Sequence, residues 1–427
     1  MRRAPPGVAG MMQTTVIRPV SARHRPTPLR RLPGMRATLW TLALLAAAAN
    51  SDSRAETQPP PPVLPAETSD VAVLPPAGPH RLFVMGWTTG GANVVDGDSK
   101  DLSVLGLVPI SEGGLLALSH DADRIFVAET FYSHGNRGTR EDVLSIYDGR
   151  SLALLEEIPI PGRLQVVAKP HVFEVSEDGR LAYVYDMVPT SSVHVIDLQE
   201  AKVLPSVYLP GCALAFPYGP RGFGTICGDG TVGAVQVPES GATAKAVFSK
   251  PFFDANSDPL FESSVIDKSS GEAWFMTFTG KVFPAHLAAG AAPVIGKPWS
   301  VSEAAGLPPV GTGVQELAWR PGGGGRVLAL HRATKRLFVL MHPGNYWTHK
   351  VAGTEVWVLD ATRQALIRRI RLEAPARGIA VSQDASPLLY AMSDEGSEGE
   401  LAVIDASTGE KLRKRKLPGG FAWVPGD

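Results

Sequence analysis

An aspartate that closes an apolar strand recurs along this chain, and its spacing restricts the possible folds more than any other feature. Val172–Tyr185 reads as an apolar strand, a Ser176-x-Asp178-Gly179 turn and a second apolar strand, and Ser192–Asp197 adds a third strand ending in Asp197. Ile379–Met392 with Leu401–Asp405 repeats the unit, as does Leu328–Leu340 with Glu355–Asp360. Neighbouring strand-ending aspartates are roughly 45–50 residues apart, the length of one four-stranded propeller blade. The strands alternate or run wholly apolar because both faces of a blade can pack on its neighbours. From His80 onward about seven such units can be counted, with those from Cys212 and Phe261 degenerate. The expectation is therefore an all-β, seven-bladed β-propeller. Gly420–Val424 has the character of a first strand lacking a second, and Arg81–Met85 that of a second lacking a first. Pairing them closes the ring and removes its open edges.

Composition agrees with this fold and narrows the function. The 427 residues are 44% hydrophobic, enough for a large core. Glycine (44) and proline (37) are abundant and helical periodicity is weak, which favours short strands and turns. With 41 basic and 42 acidic residues, the net charge of −1 gives no electrostatic reason for a nucleic-acid partner.

The N-terminal region reads as targeting. Arg30, Arg31 and Arg36 precede an apolar run from Ala37 to Ala49, and Ser53-Arg54-Ala55 offers small residues for a signal peptidase. Residues 1–55 are expected to be an extension plus signal peptide, cleaved near Ala55, with Met35 a candidate start. The run is short of the about 20 residues of a membrane span, so the mature form is expected to be free of the membrane; an uncleaved anchor is the alternative. Residues 56–79, with Pro59–Pro62, read as an extended linker, and 80–427 as the propeller.

Few motifs carry chemistry. Cys212 and Cys227 are the only cysteines and fall on consecutive strands of the fourth unit, so in an exported chain they are expected to form a disulfide. A zinc site would need two further ligands, which are not clustered there. Gly228–Gly233 matches a dinucleotide fingerprint, but a strand rather than a helix follows, so a hairpin turn is expected. Arg320–Gly325 lacks the lysine of a phosphate loop and reads as a flexible connector, and Asp96–Asp101 as a solvated turn rather than a calcium loop. Lys411–Lys416 is expected to be a charged outer strand. His331, His342 and His349 show no metal-binding spacing and read as surface or turn histidines. No nucleophile elbow is present.

Against this background, several ordered segments resemble the heavy subunit of the quinoprotein amine dehydrogenases, the methylamine and aromatic amine dehydrogenase family. They are Ser133, Arg137-Gly138, Arg140, Asp142 and Asp148; Cys212, Phe216-Pro217, Cys227 and Asp229-Gly230; Thr279-Gly280-Lys281; His331–Leu340 with Trp347–Lys350; and Val381–Asp384 with Pro387–Ala391. The resemblance spans essentially residues 80–425. It implies a seven-bladed propeller in an α2β2 assembly, in which a small cysteine-rich subunit carries tryptophan tryptophylquinone. It further implies a periplasmic enzyme that converts primary amines to aldehyde and ammonia and passes electrons to a copper protein. No catalytic residue, metal or cofactor is expected on this chain, which would dock the small subunit and wall the substrate channel. Phe131, Tyr132, Arg137, Arg140, Trp347 and His349 are the expected interface and channel residues. One segment departs from the pattern: Ile110–Leu116 replaces a Gly-Gly-Phe-Leu-Pro-Asn-Pro-like stretch, and Glu112 stands near the place of its aromatic gate. That departure leaves a second reading open, a stand-alone exported propeller that binds a ligand or protein without redox activity.

Overall fold

The computed structural model describes residues 73–427 except 87–89, 112, 164–167, 394–398 and 418. The expected signal peptide, most of the linker, and Glu112 lie outside the described residues. Ser69–Asp427 is one compact unit, built of seven antiparallel sheets. The second blade is representative. Leu115–Leu118 is innermost, followed outward by Arg124–Tyr132, Arg140–Asp148 and Leu154–Pro159. The middle strands bury nearly every residue of their central stretch, whereas the outermost strand exposes Leu154 and Leu155. Continuous apolar runs thus mark strands sandwiched between blades, and polar ones mark the rim.

Local side-chain hydrogen bonds explain the repeated motif. Ser119, Ser176 and Ser382 donate through Oγ to Asp121, Asp178 and Asp384, and the same oxygens accept the N–H of Arg124, Leu181 and Leu388. The strand-ending aspartates do a second job. Oδ1 of Asp148, Asp197, Asp360 and Asp405 accepts the N–H two residues on, from Arg150, Gln199, Thr362 and Ser407. Each carboxylate closes the turn by imitating a backbone acceptor, which is why aspartate recurs there.

The ring closes as the strand count implies: Phe421–Trp423 pairs with Arg81–Met85, with Phe83 opposite Trp423 and Met85 opposite Phe421. In the fourth blade Cys212 stands directly opposite Cys227, Cα atoms 3.9 Å apart, and the two form a disulfide. The innermost strand of the fifth blade is only Val265–Ile266. The Asp229-Gly230 turn joins Gly222–Cys227 to Val232–Gln236, with Gly230 at φ +86°, as a hairpin reading requires. Lys411–Lys416 is the outermost strand of the seventh blade.

Two expectations are corrected. His331 and His342 are not surface histidines: they are 2% and 1% exposed. His331 lies 2.7 Å from Thr334 Oγ1 and donates from Nε2 to the Asp384 carbonyl at 2.9 Å, so the fold supplies the partners that water would have. Nor does Arg320–Gly325 begin as a flexible connector. Arg320 is buried in a paired strand, Ala318–Pro321, and donates to the carbonyls of Gly344, Gly311 and Glu316.

Candidate functional site

Strands in each blade alternate in direction, so the starts of the innermost strands and the loops between second and third strands emerge at one end of the ring. At that end a cavity of about 380 Å³ opens on the axis. Its apolar wall comes from the fifth and sixth blades. His349 stacks on Phe278, centroids 4.0 Å apart and planes 22° from parallel, and Phe278 packs on Phe261 at 4.7 Å. Lys169, Lys350 and Arg377 supply positive charge around it, and Glu262 the negative. Lys169 is ion-paired to Glu262. Burial lowers the affinity of His349 for a proton, and the charge of Lys350 lowers it further.

The loop that carries His349 is held from below. His342 Nε2 lies 2.8 Å from Thr348 Oγ1, and Thr348 in turn donates to the Asn345 carbonyl. Burial, reinforced by the Arg320 charge, pulls the His342 pKa down to about 4. Tyr346 is buried and donates to the Ser257 carbonyl, while its neighbour Trp347 is 53% exposed at φ +67°. A bulky residue in left-handed backbone, presenting its ring to solvent, is the kind of local strain that accompanies function.

A second group lies on the second blade at the same end. Phe131 is 42% exposed at the tip of its strand, opposite Glu141, and Tyr132 is half-buried opposite Arg140. Arg137 is exposed on a loop pinned by Ser133, whose N–H donates to the Thr139 carbonyl and whose Oγ accepts the Thr139 N–H. Arg140 is exposed but anchored: it pairs with Asp142 at 2.9 Å and donates to the Arg163 carbonyl. Beneath it, Arg163 is 3% exposed and burial pulls its pKa down to about 10. Arg163 donates to Gly113 O, and Glu129, 1% exposed, accepts from Ser111 N and Ser145 Oγ. Ser111 and Gly113 of the divergent segment are thus held from below, and Ile110, Leu115 and Leu116 lie in the core.

The expected site residues therefore fall into two groups. Trp347 and His349 meet Phe278 on one side of the mouth, and Phe131, Tyr132, Arg137 and Arg140 sit together on another blade. Phe261, Phe278, Lys169 and Arg377 were missed by sequence reasoning. Thr279-Gly280-Lys281, immediately after Phe278, was the nearest available signal.

Deeper on the axis, charge replaces cavity. Lys268 Nζ lies 3.2 Å from Glu174, His171 Nδ1 lies 2.9 Å from it, and Arg326 pairs with Asp427. Burial alone would raise the Glu174 carboxyl, but Lys268, His171 and Arg326 outweigh it and hold the pKa at about 2.

Among the described residues one tryptophan pair, Trp319 and Trp357, is in ring contact, at 5.6 Å, and the Arg369 guanidinium lies over both rings at 4.6 and 4.8 Å. These rings are engaged in a cation–π stack beside an outer strand.

Fold and site together define a seven-bladed β-propeller with an aromatic and basic mouth. Residues 82–420 match the family model described as methylamine dehydrogenase heavy chain, and the chain belongs to that family. It is 30% identical to the methylamine dehydrogenase heavy chain of Methylophilus methylotrophus over 355 residues, covering 81% of this chain and 82% of the relative. To that of Methylobacillus flagellatus it is 29% identical over 354 residues, 83% of each. Among solved structures, a protein of unknown function from Desulfotomaculum acetoxidans shares the fold, with a TM-score of 0.54 at 10% identity, covering 81% of this chain and 98% of that one.

Proposed function

We propose that this chain is the non-catalytic heavy subunit of a periplasmic amine dehydrogenase, partnered in an α2β2 assembly by a small subunit bearing tryptophan tryptophylquinone. The observation that carries this reading is family membership across nearly the whole propeller. On the partner, the quinone would supply the electrophilic carbonyl and electron sink for turning a primary amine into aldehyde and ammonia, with a copper protein as electron acceptor. The residues of this chain would dock and wall. Exposed Phe131 and Trp347, rimmed by Arg137 and Lys350, suit an interface of aromatic anchors with a polar edge. The segment held at Ser111 and Gly113 would border the substrate path.

Purification from the native periplasm, with subunit analysis and a visible spectrum, tests this directly. A co-purifying small subunit whose absorbance is bleached by primary amines is the expected result. A colourless single chain would overturn the reading and leave a stand-alone binding propeller.

A further inference from the structure

Among the described residues, the lining of the axial cavity is mainly positive. Three cations line it against one carboxylate, and Glu262 is already paired to Lys169. Among the described residues, neither Lys350 nor Arg377 has a carboxylate within ion-pair distance; the nearest recorded partner of Arg377 is the Lys350 carbonyl, 3.4 Å from Nη1. Elsewhere the fold matches half-buried cations to acids, as with Lys268 and Glu174, Arg332 and Glu177, and Lys335 and Asp267. Lys350 and Arg377, beside a flat aromatic shelf, form a different kind of surface. A guanidinium presents paired donors matched to a carboxylate, and the Phe278–His349 stack offers a face to a planar apolar group. The volume, about 380 Å³, is that of a small-molecule site.

We propose that the mouth of the propeller axis binds a small organic anion with a planar apolar body, an aromatic carboxylate in its simplest form. The carboxylate lies toward Arg377 and Lys350, and the ring lies along Phe278 and His349. The lowered proton affinity of His349, due first to burial and then to Lys350 and Lys169, is consistent with this field of positive charge. The inference goes beyond the dehydrogenase reading and needs no turnover. Because that reading places Lys350 at the docking rim, the titration is made on the full-length chain free of any small subunit as well as on the isolated assembly, and absence of binding counts against the site only in the free chain.

The test is calorimetric titration of the purified full-length protein, as the free chain and in whatever assembly it is isolated, at low ionic strength and neutral pH. Phenylacetate is expected to bind at one saturable site per chain, acetate more weakly, and benzylamine not measurably. The double variant Lys350→Gln/Arg377→Gln is expected to weaken phenylacetate by about tenfold or more. Should that variant fail to fold, Lys350→Gln alone, at an exposed side chain, is expected to weaken it severalfold. Absence of saturable phenylacetate binding to the free chain, equal binding of benzylamine, or an unchanged affinity in the folded variants would overturn the proposal.

Discussion

The imidazole of His349 lies against the ring of Phe278, centroids 4.0 Å apart, although the two come from different blades. That contact fixes the base of the loop whose tip is Trp347, and so turns a flexible connection into a presented indole. Trp347 packs on Tyr346 at 4.6 Å and meets Phe278 edge-on at 6.2 Å, but its left-handed backbone costs a non-glycine residue about 1–2 kcal/mol. Trp347→Gly is expected to raise stability by less than about 1 kcal/mol in chemical denaturation, because the ring contacts it loses offset most of the relieved strain. The same change is expected to weaken partner association about tenfold or more, measured by analytical ultracentrifugation. A stabilised variant that still associates normally would remove Trp347 from the docking surface.

The disulfide joins the two innermost strands of the fourth blade. Its main effect is on the unfolded chain, whose freedom it restricts. Replacing both cysteines, Cys212→Ala with Cys227→Ala, is expected to cost on the order of 3 kcal/mol. The midpoint of guanidinium unfolding, compared with that of the oxidised protein, reads this out.

Glu174 makes the axis sensitive to acid. Its carboxyl is held at about 2 in the fold, against 4.5 for a free glutamate. A depressed folded pKa gives stability that is present above the unfolded value and is lost as pH falls through the folded one. Stability should therefore decline between about pH 4.5 and 2. Glu174→Gln should flatten that slope while lowering stability at neutral pH by about 3 kcal/mol, because half-buried Lys268 loses its counter-charge. Acid unfolding followed by near-ultraviolet circular dichroism distinguishes the two curves.

His342 acts in a higher window. Burial, then the charge of Arg320, takes its pKa from 6.5 down to about 4, so the fold accommodates the neutral ring. Its contribution is complete above about pH 6.5 and is lost as pH falls toward 4. Thermal melts of the wild type should lose stability across that range. His342→Gln should show a smaller loss over the same range, whatever its stability at neutral pH.

The blade repeat was legible because each copy encodes its own turn. Ser176 with Asp178, and Asp197 at the third strand's end, make hydrogen bonds within a few residues of themselves, so the pattern survives in one dimension. Ring closure was legible as an arithmetic remainder of strands at Arg81–Met85 and Gly420–Val424. The mouth was not. Lys169, Phe278, His349 and Arg377 belong to segments that meet only around the axis, and no local rule connects them. Arg320 and His342 were misjudged for a related reason: of the groups they bond, those of Gly311, Glu316 and Thr348 come from irregular chain that carries no period, and that of Gly344 from the very end of a strand.

The pairing of Phe83 with Trp423 also sets a schedule. The strand that finishes the first blade follows all six other sheets in the chain, so the earliest sheet must wait, one edge bare, while they are made. Contacts so distant along the chain slow the final step of folding. They also make the seam a single point of failure: a proteolytic cut between Leu417 and Phe421 would release the innermost strand of the first blade and unlock the circle without touching any other sheet.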